Sequence, residues 1–240
     1  MSRRRASGVP DAFVVSCEHA SRAIPRPLGD LGLPAAVLRS HRAFDRGALG
    51  VARLLAKGLR VPLHAGTWSR LVVDLNRSAD NPGVVPRSVD GRRIPGNDLT
   101  AAQCRRRVRD LWRPYRAEVQ RAIAAVGPAC VLHLSVHSFT PELHGVVRAN
   151  DIGLLCDPSR PREVAFCMQL QQELRARGFE VRRNFPYFGT TDGFTSYVRQ
   201  RMPAARYLGI EIECNQRVVA TKAGERFVGS ALLAALLAMR

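Results

Sequence analysis

Val131-Leu132-His133-Leu134-Ser135-Val136, closed by His137-Ser138, is an apolar run of strand length with polar side chains at alternating positions. Such a run reads as a buried strand that ends on two polar residues. Working outward, Phe13-Val14-Val15-Ser16-Cys17 reads the same way and ends at Glu18-His19-Ala20-Ser21. Leu71-Val72-Val73-Asp74-Leu75 is a third β-type run, terminated by Asn76-Arg77. On the C-terminal side, Ile152-Gly153-Leu154-Leu155-Cys156 predicts a strand, Glu180-Val181 opens a short edge strand, and residues 207–212 form the last core strand. Between these runs the period changes to helical. Ala48, Val51, Ala52, Leu54, Leu55 and Leu59 recur at helix spacing behind Asp45, which suits an N-cap or first-turn position. A long amphipathic helix follows over 100–126, capped by Thr100 and interrupted at Pro114. Two further helices cover 162–177, closed by Gly178, and 224–239. This alternation predicts an α/β fold, a mainly parallel or mixed sheet with helices on both faces, in one domain over 12–240 behind a disordered tail over 1–11. Residues 78–97, rich in Pro, Gly, Asp and Arg, read as one long irregular loop, of the kind that carries function.

Composition narrows the function. The 240 residues carry 37 Lys+Arg against 20 Asp+Glu, a net charge of +17, yet only Lys57 and Lys222 are lysines. An excess so skewed to arginine fits genome composition better than selection for phosphate contacts. The clusters Arg3-Arg4-Arg5 and Arg105-Arg106-Arg107 are short and lack interleaved aromatics, which argues against nucleic acid. The charge still suits small anionic substrates. No apolar stretch approaches the roughly 20 residues that span a bilayer, and the basic N-terminus leads into no apolar signal segment. Six scattered cysteines, none in a CxxC pair, are expected to be reduced thiols, which points to the cytoplasm.

The informative polar residues fall at predicted strand ends: His19, Asn76 and Arg77, His137, and Glu211 with Glu213. Ligands of open α/β sheets bind outside the carboxyl ends of the strands, so separate segments deliver these groups to one edge. Two imidazoles and a carboxylate suit a catalytic zinc with an open position, and a further carboxylate suits a general base. Taken singly, each has a blander role. A histidine after a strand serves as a hydrogen-bonding cap, Asp45 as a helix cap, Asp74 as an arginine partner, and Glu211 as a salt-bridged core residue. Jointly, at one sheet edge, they favour a metal site.

The ordered strings Ser16-Cys17-Glu18-His19-Ala20-Ser21, His41-x-x-x-Asp45-x-Gly47-Ala48 and Ser69-Arg70-Leu71-Val72-Val73-Asp74-Leu75-Asn76-Arg77 resemble the N-formylglutamate amidohydrolase family. So do Ile94-Pro95-Gly96-Asn97, His137-Ser138-Phe139-Thr140-Pro141, Asn184-x-Pro186-Tyr187 and Ile210-Glu211-Ile212. The resemblance implies a zinc-carboxypeptidase-like (phosphorylase/hydrolase-like) fold and one zinc ion. It implies hydrolysis of a small anionic N-acyl amino acid, by default N-formyl-L-glutamate to formate and L-glutamate. Carried onto this sequence, it makes His19, Asp45 and His137 the metal ligands, with Glu18 competing for the acidic position. Glu18 adjoins His19, and its side chain points to the opposite face if the strand persists. Glu211 becomes the general base, with Glu213 as the fallback, and Arg77, Asn76, Arg70 and Arg148 bind the substrate carboxylate. Two positions depart from the family pattern. Pro114-Tyr115-Arg116 replaces a Pro-Tyr-His string, and Arg199 or Gln200 stands where a histidine is expected. Both bear on the substrate more than on the metal. Two other functions stay open, a zinc peptidase on acidic or cell-wall-type peptides and a non-catalytic basic nucleic-acid-associated protein.

Overall fold

In the computed structural model, which describes residue 10 and residues 12–240, six strands form one sheet. They are β1 (Ala12–Cys17), β2 (Leu63–Ala65), β3 (Val131–Phe139), β4 (Ile152–Leu155), β5 (Val181–Arg183) and β6 (Tyr207–Asn215). Their order is β2-β1-β3-β6-β4-β5, parallel throughout except where β6 meets β4. The sheet is therefore mixed, with three adjacent parallel strands, β1, β3 and β6, at its centre. Apart from Pro10, the tail expected over 1–11 lies outside the described residues.

Strand alternation sorts the two faces. Val15, Leu132, Leu134, Val136, Ile210 and Ile212 face one way. They pack on α1 (Ala48–Leu59), α4 (Pro161–Arg175) and α6 (Lys222–Ala238), which present Val51, Leu55, Leu170, Leu232 and Leu236. The opposite face meets α3 (Arg113–Ala125) and α5 (Phe194–Arg199) through Val14, Val119, Ile123, Phe194 and Tyr207. The odd residues of β3, among them His133, Ser135 and His137, belong to this second face and are fully or almost fully buried.

The long helix begins at α2 (Ala101–Arg107), where Thr100 and Gln103 form a reciprocal capping box. Between α2 and α3 a π turn over Val108–Trp112 widens the ladder just before Pro114. Proline has no N–H to give and its ring crowds the carbonyl four residues back, so the expected interruption takes this form.

Three readings of the sequence are corrected. Residues 71–75 are buried but form no strand: the N–H groups of Val72 and Val73 both donate to Ser69 O (2.9 and 3.4 Å), and Asp74 N–H donates to Val84 O (2.7 Å). A short apolar run records burial, and periodicity alone cannot say whether its backbone pairs in a ladder or a turn. Helix α1 starts at Ala48, not at Asp45. Its cap is Gly47 at φ +81°, where a Cβ would also lie 2.5 Å from the Val219 carbonyl oxygen. The Asp45 side chain is thereby left free for other partners. Finally, β3 runs on through His137 to Phe139, so His137 lies within the strand. The loop over 78–97 is held down: Ser88–Val89 pairs with Arg92–Arg93, and buried Asn97 donates from Nδ2 to the carbonyls of Leu71 and Pro86 (2.7 and 2.6 Å).

Candidate active site

At the carboxyl ends of β1, β3 and β6 a cleft of about 350 Å³ opens between the sheet edge, the 70–77 segment and the 186–192 segment. His19, Asp45, Arg70, Asn76, Arg77, His137, Glu211 and Glu213 all line it, so the structure brings together five separate stretches of the chain. His19 lies two residues beyond β1, His137 is in β3, and Glu213 of β6 is in register with His137.

On the floor, His19, Asp45 and His137 each offer a ligand atom within 4.8 Å of the others, and all three are buried. The Nδ1 atoms of His19 and His137 both face Asp45 Oδ2, at 3.4 and 2.9 Å. Their Nε2 atoms face other carboxylates: His19 meets Asp74 at 2.7 Å, and His137 meets Glu18 at 3.1 Å. Glu18 is itself held by Tyr115 OH (2.9 Å) and Ser135 Oγ (2.6 Å), on the far side of His137 from Asp45. The carboxylate behind each imidazole fixes which nitrogen points into the cleft, the arrangement that orients metal-ligating histidines. Two Nδ1 atoms and one carboxylate oxygen converging on a buried point form a donor set that fits a catalytic zinc.

The electrostatics follow from these pairings. Burial raises the Asp45 carboxyl, yet His19 and His137 outweigh it and hold Asp45 well below the usual carboxylate range. Glu18, fully buried, is likewise held low, chiefly by its bond to His137. Burial opposes a charged His137, but Asp45 and Glu18 on its two nitrogens raise its pKa well above that of free imidazole. Glu213 is the exception. Burial, with Asp45 and Glu211 nearby, pushes its carboxyl up to about 8 against the opposing pull of His137, and its Oε2 is buried without a partner among the described residues.

Glu211 sits differently. Thr195 Oγ1 donates to its Oε1 at 2.6 Å, and Gly193 lies so close that a Cβ there would stand 2.9 Å from the same oxygen. Phe194 N–H donates to Asn76 Oδ1 (2.7 Å), which anchors this cleft-lining side chain to the start of α5. Arg77 donates from Nη1 to the Asp192 carbonyl (3.2 Å) and makes no ion pair among the described residues. Arg70 is ion-paired to Asp74 (3.0 Å) and Asp45 (3.5 Å). Arg148 is not in the cleft wall; it stands behind Tyr187, 3.3 Å from its hydroxyl.

Both departures from the family strings turn away from the cleft. Arg116 is fully buried among the rings of Trp112, Phe194 and Tyr197, and Arg199 pairs with Glu163 at 3.0 Å. Sequence reasoning missed Ser135, Tyr115, Thr195, Gly193 and Tyr187. Of these, Ser135 had a signal in its alternation between His133 and His137, and Tyr115 and Tyr187 stood in quoted strings without a role being read from them.

A mixed α/β sheet whose carboxyl edge gathers a His–Asp–His cluster opposite two glutamates defines a protein with the equipment of a hydrolase. The model of the N-formylglutamate amidohydrolase family matches residues 11–220, and the chain belongs to that family. No curated protein sequence matches it. Among solved structures it is similar to the gene product Atu2144 from Agrobacterium tumefaciens, at 33% identity and a TM-score of 0.84, over 96% of this chain and 90% of that one. It also resembles, in fold, N-formylglutamate amidohydrolase from Ralstonia eutropha JMP134, at 22% identity and a TM-score of 0.66, over 96% of this chain and 94% of that one.

Proposed function

We propose that the chain is a zinc-dependent amidohydrolase that cleaves the amide of a small N-acyl amino acid, with N-formyl-L-glutamate yielding formate and L-glutamate as its reference substrate. The observation that carries this reading is the pairing of the two Nδ1 atoms with Asp45 on the cleft floor, opposite Glu211. His19, Asp45 and His137 would hold one zinc ion. Bound there, zinc supplies Lewis-acid polarisation of a carbonyl and lowers the pKa of a water toward about 7.

The chain's own residues do the rest. Arg77, whose guanidinium has no carboxylate partner among the described residues, receives the carboxylate of the amino-acid half, and the Asn76 amide donates beside it. This clamp orients the scissile amide toward Glu211. Thr195 occupies Glu211 Oε1 and leaves Oε2 to take a proton from the attacking water and return it to the departing nitrogen. Arg70, already paired with Asp45 and Asp74, acts by holding those carboxylates in place. Arg148, behind Tyr187, acts through that hydroxyl. Among the described residues no helix is long and apolar enough to cross a membrane, and the six cysteines are free, which supports the cytoplasm as the working compartment.

Replacement of the base tests the assignment. Glu211→Gln is expected to retain wild-type zinc content and to lose about 10²–10⁴ in kcat, the usual share of general acid–base catalysis. Wild-type turnover by that variant would remove Glu211 from the mechanism.

A further inference from the structure

The cleft does not end at its arginines. Beyond Arg70, Arg77 and Tyr187, which line both spaces, lies a second chamber of about 470 Å³, larger than the cleft itself. It is lined by the Ser88–Val89 ribbon strand, by Thr140 and Leu143, and by Arg42 and His41. Among the described residues lining either space, Arg77 is the one guanidinium without an ion pair, because Arg42 is tied to Asp90 and Arg70 to Asp45 and Asp74. A compact N-acyl amino acid is accommodated by the cleft alone, which lies at the low end of the roughly 300–1,000 Å³ of small-molecule sites.

We propose that this chamber is a substrate subsite, and that the preferred substrate is an N-acyl dipeptide of acidic residues cleaved at its N-acyl amide. The proposal rests on the amidohydrolase reading. The direction of the extension follows from where the anchor stands. An acyl group such as formyl carries no anion, so the half of the substrate clamped by Arg77 is the amino-acid half. Arg77 stands at the divide, so whatever continues past it into the chamber belongs to that half. Three arginines line this space against Asp74 and Asp90, and both acids are already paired, which favours an anionic second residue over a cationic one. The apolar flanks of Val89, Leu143 and Pro86 take the methylene groups of its side chain.

Competing kinetics on the zinc-loaded full chain test this. The probes are N-formyl-L-glutamate, N-formyl-L-glutamyl-L-glutamate, N-formyl-L-glutamyl-L-lysine and N-succinyl-L-glutamate. The glutamyl-glutamate compound is expected to exceed N-formylglutamate in kcat/KM by about tenfold, the equivalent of one added charge-assisted contact of ~1.4 kcal/mol, with the lysine compound below both. Ser88→Trp, which fills the chamber from an exposed position outside the catalytic cleft, is expected to abolish that advantage through KM and to leave N-formylglutamate within about twofold. Equal or lower kcat/KM for the dipeptide, an advantage that survives Ser88→Trp, or preference for the succinyl compound each overturns the subsite while the amidohydrolase reading stands. Turnover of none of the four overturns the amidohydrolase reading and the subsite with it.

Discussion

His133 and His137 stand four residues apart on β3, on the same face of the sheet, and both are buried. Their surroundings are opposite. His133 lies between two hydroxyls, Ser16 Oγ on Nε2 and Tyr207 OH on Nδ1, each at 2.8 Å, with the Phe194 ring against its edge. One nitrogen donates, the other accepts, and burial pushes its pKa down to about 4, so the imidazole is neutral. His137 has carboxylates on both nitrogens and is driven the other way. Two residues of rise separate each histidine from Ser135, yet one is a core group and the other belongs to the cleft. The cause is position along the strand. At His133 the neighbours are other strands and a helix, which supply hydroxyls and rings. At the carboxyl end, loops bring in Asp45 and Glu18.

This contrast can be broken at three levels. The largest effect is expected at His137. His137→Ala removes one of three donors and leaves Asp45 and Glu18 facing each other across the gap, so metal analysis should find zinc lost and formate release abolished. A variant with full zinc content and full rate would reduce His137 to a core residue like its neighbour. Next is Glu18→Gln, which keeps shape but weakens the hold on His137 Nε2. Outer-shell changes of this kind cost about 10–100-fold in metal affinity, so competition with a chelator should show zinc binding weakened by that factor. An unchanged affinity would mean that Glu18 does not orient the ligand. Third, His133→Gln is expected to leave kcat/KM within about twofold and to change only the acid side of the stability profile. The folded-state pKa of about 4 lies below the ~6.5 of free imidazole, so the unfolded chain binds the proton more readily. The stability that His133 contributes is therefore complete above about pH 6.5 and is lost as pH falls toward about 4, up to about 3 kcal/mol in all. Denaturant titrations from pH 7 to 4 should show that slope flattened in the variant. An unaltered slope would contradict the neutral assignment.

The same contrast explains what could be read in the chain before its structure. The strands β1, β3, β4 and β6 and most helices announced themselves, because alternation and helical spacing are local, and so were the Thr100 cap and the Gly178 stop. The meeting of His19, His137 and Glu211 was legible through the rule that strand ends share an edge, whereas Asp45 joined them only through the family resemblance. What stayed hidden depended on partners distant in sequence. Asp74 stands four residues from Arg70 and was readable as an arginine partner, but nothing near Arg70 says that Asp45 shares its charge, and nothing near Glu18 says that it backs His137. Within Leu71-Val72-Val73-Asp74-Leu75 the burial was visible and the turn was not, since Ser69 and Val84, which accept its N–H groups, lie outside the run. His133 and His137 are the limiting case: identical residues in one alternation, separated only by what folding places beside them.

The central claim is that His19, Asp45 and His137 hold one zinc ion on which amide hydrolysis depends. Formate release from N-formyl-L-glutamate, followed together with zinc content through chelation and re-addition, tests it most directly. Close to one zinc per chain, loss of formate release as zinc is withdrawn, and recovery of both together are the expected results. Undiminished release from the metal-free chain, or a purified chain that takes up no zinc, would contradict it.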